Sequence, residues 1–327
     1  MSRKAAPSLT QLLLSWRNRG YQRQVLKFHD RYRPRVIIAQ YTAAREIFAA
    51  ADASTIRILS YPIAHHAWLD RSMREEGERN PRWAALLQGH DLAAEDIALL
   101  DEEIELADVV VVPSTFAAQT FIDSGINRDK LVVVPLGCDF LDLSEIHSAS
   151  AGPDQGFRVL YAGQVTQRKG VGYLVEAVEE LEGVHLELVG GCTPMARNLI
   201  SRFSRTAIYP SLPREELLLR MRASSVLVLP SLAEGFGLVA LEAMSVGCPV
   251  ILSHQTFAGD IVLDGRNGFL LPTVDKESIR NKLTEVMSAP DLDRVAHEGA
   301  RTAKTYSWDR YAGEFTSVLD DLLAQRN

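Results

Sequence analysis

VLVLPSLAEGFGLVALEAMSVGCPVI, Val226 to Ile251, is the stretch on which the rest of the chain turns. It opens and closes on short apolar runs of the kind found in strands buried on both faces. Between them lie a turn carrying Glu234, Gly235, Phe236 and Gly237 and a helix carrying Glu242. Glycines at 235 and 237 let backbone N–H groups approach a phosphate closely, because a side chain there would block it. Glu234 beside a phosphate would repel it, so hydroxyl donors suit it better. Glu242 sits in GLVALEAMSVG among apolar neighbours, where a carboxylate needs a hydrogen-bond donor such as a ribose hydroxyl.

The same alternation extends outward. FRVLYAG, VHLELVGG, VLVLPS and CPVILS are short strand-like runs, separated by helical VGYLVEAVEEL, REELLLRMRAS and GLVALEAMSVG. Strands alternating with helices, apolar on both faces, indicate a doubly wound parallel sheet. Upstream, RVIIAQ (35–40), IRILSY (56–61), DVVVVPS (108–114) and LVVVPLG (131–137) repeat the pattern. DLSEIHSASAGPDQG (142–156) between the two series is polar and small, as a linker would be. The expected architecture is α/β, with two Rossmann-like lobes facing a cleft. The first lobe is 1–143, the linker 144–156 and the second lobe 157–303. A C-terminal helix over 304–327, bent near Ser307–Trp308, packs back on the first lobe.

A chain of 327 residues is long enough for two domains of about 150 residues each. With 46% hydrophobic and 24% charged residues, its composition is that of a folded protein. No apolar run reaches the roughly 20 residues of a membrane helix, and the N-terminus lacks the long apolar core and cleavage site of a signal peptide. Cys138, Cys192 and Cys248 are isolated, which argues against zinc or a disulfide framework and suits a reducing cytoplasm.

The net charge of −7 conceals a basic start, with nine Lys and Arg against Asp30 within residues 1–35. Together with the apolar stripe Leu9, Leu12, Leu13 and Trp16, this segment fits an anionic membrane surface, or else a helix packed on the domain. Nothing points to nucleic acid. The expected location is cytoplasmic, peripheral at the inner membrane face if the segment binds lipid.

In YAGQVTQRKGVGYL, a strand runs into Gly163, and a loop delivers Arg168 and Lys169 just before a helix starting near Gly170. The free N–H groups and positive dipole of a helix N-terminus, with adjacent cations, form an anion site. A solvated Arg-Lys pair is the plainer alternative. The loop is neither a Walker loop nor a GxGxxG fingerprint.

PSLAEGFGLVALEAMSVGCPVI resembles the Glu-x7-Glu signature of retaining family-4 glycosyltransferases of the GT-B fold, with Glu234 and Glu242 at the two acidic positions. GQVTQRKGVGYLVEAV, LELVGG, LPREELLLRMRASSVLVLPS, DIVLDGRNGFLLP and YSWDRYAGEF follow the family's order, so the resemblance spans roughly 105–320. It implies a hexosyltransferase-type enzyme holding a nucleotide-diphosphate sugar in the second lobe, with a glycan, lipid-linked or other glycoconjugate acceptor. Lys169, with Arg168, would neutralise the diphosphate, and Glu234 would bind the transferred sugar. Glu242 would bind the ribose. Gly163, Gln164 and the backbone at Gly235, Phe236, Gly237 and Leu238 would border the phosphates, and Ser211 and Leu212 the base. Many relatives carry Arg where this chain has Gln164. His65, with His66 in reserve, would face the sugar from the first lobe, while Ser114 and Asp139 are turn and cap residues. No metal and no cofactor is implied, and no Asp-x-Asp ends a strand in the second lobe.

The resemblance also implies a first strand and glycine-rich loop that nothing before Arg35 matches, a shortfall of about 60–90 residues for a domain of usual length. An incomplete first lobe, a partner chain or second copy covering the sheet edge, and the basic helix as a substitute cover all fit this. A non-catalytic nucleotide-sugar-binding subunit therefore stands as an alternative. A GT-B nucleotide-sugar epimerase would need further acidic and histidine groups that are not evident.

Overall fold

The computed structural model describes residues 24–140 and 156–326. The basic segment up to residue 23 and the expected linker up to residue 155 lie outside the described residues. Residues 24–32 are helical (α1). The first sheet contains β1 (Val36–Gln40), β2 (Ile56–Ser60), β3 (Val109–Val112) and β4 (Leu131–Val133), all parallel and in sequence order. Crossovers run through α2 (Arg45–Ala50), α3 (His66–Arg79) with α4 (Ala94–Leu106), and α5 (Thr115–Ile122). All four residues of β3 are buried, as a strand covered on both faces requires. β3 is shorter at both ends than the run that predicts it. Asp108 leaves β3 because its carboxylate accepts the Arg57 backbone N–H at 2.7 Å, and Ser114 leaves it to cap α5. The β1 edge is unpaired among the described residues, with Ile38 half exposed.

The second sheet has the order β10-β9-β8-β5-β6-β7, again all parallel. From β5 (Phe157–Ala162) the chain steps outward through α6 (Val171–Glu179), β6 (Val184–Val189), α7 (Pro194–Ile200) and β7 (Thr206–Tyr209). It returns through α8 (Arg214–Arg222) to β8 (Val226–Leu229). From there it steps the other way through α9 (Leu238–Ser245), β9 (Val250–Ser253), α10 (Ala258–Ile261) and β10 (Phe269–Leu271). Strand order therefore reverses between β5 and β8, and the loops leaving their carboxyl ends diverge around a crevice. These are the loops that carry Lys169 and Glu234.

The C-terminal segment is not one bent helix. It divides into α12 (Leu292–Ala303) and α13 (Trp308–Gln325), after α11 (Lys276–Met287). The break lets the chain cross Gly137, where any side chain would strike the Ser307–Trp308 backbone. There Cys138 N–H donates to Tyr306 O at 2.8 Å, and Ser307 Oγ accepts from the Arg310 N–H to start α13. Tyr311, Phe315, Val318, Leu319 and Leu322, at helical spacing, then cover Ile56, Ile58, Val109 and Val111 of the first sheet. Among the described residues no helix is long and apolar enough to cross a membrane.

The lobes are also less separate than the chain order implies. Leu69, Met73, Trp83 and Leu86 follow β2 in sequence, yet their side chains belong to the hydrophobic core of the second lobe.

Candidate active site

The crevice between β5 and β8 holds a cavity of about 580 Å³. Gly163, Gln164 and Lys169 reach it from the loop after β5, and Ser211 and Leu212 from the loop after β7. Glu234, Phe236 and Gly237 enter from the loop after β8, and Leu238 and Glu242 from α9. The structure thus brings these ten residues to one cavity. Gly190 and Gly191, at the end of β6, complete its floor, and Pro62 and Leu136 close it from the first lobe.

Local backbone constraints set this geometry. Gly170 starts α6 at φ +70°, and a side chain on it would overlap the Pro230 carbonyl. The loops after β5 and β8 can therefore lie against each other, joined by Leu232 N–H donating to Arg168 O at 2.9 Å. Gly237 starts α9 at φ +90°, a conformation that L side chains rarely adopt.

Across that seam the Lys169 ammonium and the Glu234 carboxylate are in direct contact, both about one-fifth exposed. Burial first, then the neighbouring Arg168 guanidinium, push the Lys169 pKa down to about 7. The Glu234 carboxylate acts in the opposite direction and favours the ammonium while the pair is intact. Glu242 lies on the far side of the cavity, with Arg214 Nε 3.3 Å from its carboxylate. Burial raises the Glu242 pKa, and Arg214 works against the rise.

Some expected residues stand elsewhere. Arg168 does not line the cavity: its guanidinium donates to the Ala233 carbonyl at 2.7 Å and lies 3.8 Å from Glu234. Gly235 also lies outside the cavity lining, and its missing side chain serves the lobe contact. A Cβ there would overlap the Pro62 carbonyl, and Ser114 Oγ of the first lobe donates to Gly235 O at 2.6 Å. Ser114 is thus both the cap of α5 and a bridge between lobes.

His65 does not line the cavity either. Its ring is buried, accepts the Ala67 N–H at the start of α3 and packs edge-on against Phe121, and burial drives its pKa down to about 3. His66 lines a separate first-lobe cavity of about 380 Å³, held between the Tyr61 hydroxyl at 3.3 Å and Asp101 at 2.9 Å. His65, His66 and Asp101 are the one group of metal-ligating side chains that comes together among the described residues. The two imidazoles stack 4.3 Å apart, and one possible ligand atom from each of the three residues lies within 4.8 Å of the others.

Gly190 and Gly191 had a local signal, a glycine pair ending a strand. At Gly190 a side chain would overlap the Gly163 carbonyl. Arg214 had none, because its pairing with Glu242 depends on how α8 lies beside α9.

Residues 144–303 match the family described as Glycosyl transferases group 1. Over these residues, just under half of the chain, the sequence is similar to that family. The MMP alpha-(1->4)-mannosyltransferase of Mycolicibacterium hassiacum is 28% identical over 232 residues, covering 68% of this chain and 56% of that protein. The chain spans about half the length of the first curated relatives it matches. Among solved structures, sucrose-phosphate synthase from Thermosynechococcus elongatus superposes with a TM-score of 0.70 at 20% identity, covering 93% of this chain and 78% of that one. The Anabaena protein HepE in complex with UDP and glucose gives 0.67 at 17% identity, covering 92% and 81%. At these identities the likeness establishes the GT-B fold, two Rossmann-like lobes with parallel sheets.

Gly235→Ala separates the two roles open to that glycine. Overlap with Pro62 is expected to cost about 1–3 kcal/mol of stability, as overpacking does. Hydrogen exchange should rise at residues 61–64 and 114–117, where the lobes meet. A variant with unchanged stability and exchange would return Gly235 to the cavity.

Proposed function

We propose that this chain is a retaining, metal-independent glycosyltransferase that uses a nucleotide-diphosphate sugar, with a glycan, lipid-linked or other glycoconjugate acceptor. The observation that carries the proposal is the contact of Lys169 with Glu234 in the cavity that Glu242 closes from the other side. The similarity to group 1 glycosyl transferases supports it, as do the mannosyltransferase relative and a fold neighbour solved with UDP and glucose.

In this reading the diphosphate replaces Glu234 as the partner of Lys169 and takes N–H groups from the first turn of α9. Glu234, released, accepts hydrogen bonds from hydroxyls of the transferred sugar. Glu242 accepts from the ribose hydroxyls, and Ser211 and Leu212 border the base. The bond between the anomeric carbon and the diphosphate oxygen breaks, and the electron pair leaves with the diphosphate. The acceptor oxygen forms the new bond on the same face, and its proton passes to the departing phosphate. Lys169 stabilises the charge that develops on the leaving group, a role for which loss of one donor costs about 2.7–4 kcal/mol. The chemistry needs no carboxylate nucleophile and no role for His65.

Turnover of UDP-, GDP- and ADP-sugars, followed by NMR of the anomeric proton, tests the reaction. One donor should be consumed with retained configuration, at a rate unchanged by EDTA. An inverted product or abolition by EDTA would contradict the mechanism.

Binding should also take up a proton. Burial and Arg168 lower the Lys169 pKa, so part of the population is neutral once the pH rises above neutrality, and only the ammonium holds the diphosphate well. Affinity for the nucleotide diphosphate should therefore fall as pH rises above 7, by up to about ten-fold per unit. Calorimetry at pH 8 in buffers of different ionisation enthalpy would register the uptake. Absence of uptake would show that Lys169 is already fully charged when the ligand arrives.

A further inference from the structure

We propose that Glu76, on α3 of the first lobe, is the positioning residue for the second-lobe turn that carries Lys169. The inference rests on the reading of Lys169 as the diphosphate ligand and adds the group that holds it in place. Glu76 is only 2% exposed, although it is a carboxylate on a helix facing another lobe. Both of its oxygens are used across the lobe boundary. One accepts the Gln167 side-chain N–H at 2.7 Å, and the other accepts the Tyr173 hydroxyl at 3.0 Å.

Gln167 is fully buried and opens the short turn Gln167–Lys169. Its side-chain oxygen accepts the Gly172 backbone N–H at 3.1 Å, an N–H of the first turn of α6 with no partner within that helix. Glu76 therefore grips the residue that begins the Lys169 turn, and through Gln167 and Tyr173 it also grips the helix that follows. Trp83 wedges the same place from outside. Its buried ring lies over Gly172, where any side chain would overlap it. Its indole N–H and the Arg82 guanidinium both donate to Glu176 of α6 at 2.9 Å.

Burying a carboxylate costs several kcal/mol unless every hydrogen bond is made, and apolar packing would be the cheaper adhesive. The arrangement instead gives direction, because a carboxylate fixes where Gln167 and Tyr173 point. The other end of α3 carries His66 and Leu69 into the 380 Å³ first-lobe cavity. One helix thus joins that cavity to the turn bearing Lys169.

The test compares UDP, GDP and ADP, each with its nucleoside, by calorimetry on the full chain, in wild type and Glu76→Gln. If Glu76 aims Lys169, the preference for diphosphate over nucleoside should fall at least about ten-fold, a loss of about 1.4 kcal/mol. Nucleoside affinity should stay within about two-fold, because Glu242 and the base contacts do not depend on the turn. A preference unchanged in Glu76→Gln, or an equal loss for nucleoside and diphosphate, would overturn the proposal.

Glu76→Asp keeps the charge and carries the same test if the Gln variant does not fold. With a side chain one methylene shorter, it should lose about three-fold of the preference, and an unchanged ratio would overturn the proposal. If wild type prefers no diphosphate over its nucleoside, the nucleotide reading fails, and a ligand-free readout decides the role of Glu76. In [13Cε]lysine NMR, Lys169, faced by Arg168 and Glu234, should titrate closer to an ordinary lysine once Glu76→Gln lets water into the turn. An unmoved titration would overturn the positioning role.

Discussion

The contact between Lys169 and Glu234 is the constraint on which the rest of the site depends. Two opposite charges, each about one-fifth exposed, satisfy each other where the loops after β5 and β8 meet. Removing either would leave an uncompensated charge in a partly dry crevice, which costs more than the pair itself contributes. A ligand that brings both an anion and hydroxyl donors can replace both halves of the contact at once. Diphosphate and sugar together have that chemistry, and either alone would leave one partner stranded.

The strand order explains why the two residues meet. Reversal between β5 and β8 sends successive crossovers to opposite sides, so the loops leaving these adjacent strands open a crevice at their carboxyl ends. The first lobe then completes the site. Pro62 lies against Gly235, Ser114 holds the Gly235 carbonyl, and Thr115 hydrogen-bonds Asp260 through both its backbone N–H and its hydroxyl. Together with Glu76 and Trp83, these contacts make the geometry around Lys169 a property of both lobes.

Much of this was legible because it is local. A run such as Val109–Val112 has no face for water, so a strand covered on both sides follows. Lys169 before a helix start and Glu234 beside a glycine-bracketed turn are short-range patterns, and the cavity does gather them with Glu242. Gly235 was ambiguous in the sequence because two physical causes leave the same residue: a nearby phosphate and a neighbouring carbonyl both demand a missing side chain. Only the packing of Pro62 distinguishes them. His65 was ambiguous for a similar reason, since a histidine after a strand can cap the next helix as readily as face a cleft, and here it caps α3. Arg214 and Glu76 had no signal, because their partners are set by how elements cross. The break between α12 and α13 likewise follows from Gly137, far away in the chain.

The most direct measurement is calorimetry of UDP, GDP and ADP, and of their nucleosides, against wild type, Lys169→Ala and Glu242→Ala. If the two residues grip different parts of one ligand, the losses should separate. Lys169→Ala should abolish the preference for diphosphate while leaving nucleoside affinity in place. Glu242→Ala should weaken nucleoside and diphosphate alike while leaving the preference in place. Equal losses for both ligands in both variants, or no loss in either, would contradict a nucleotide held between these two side chains.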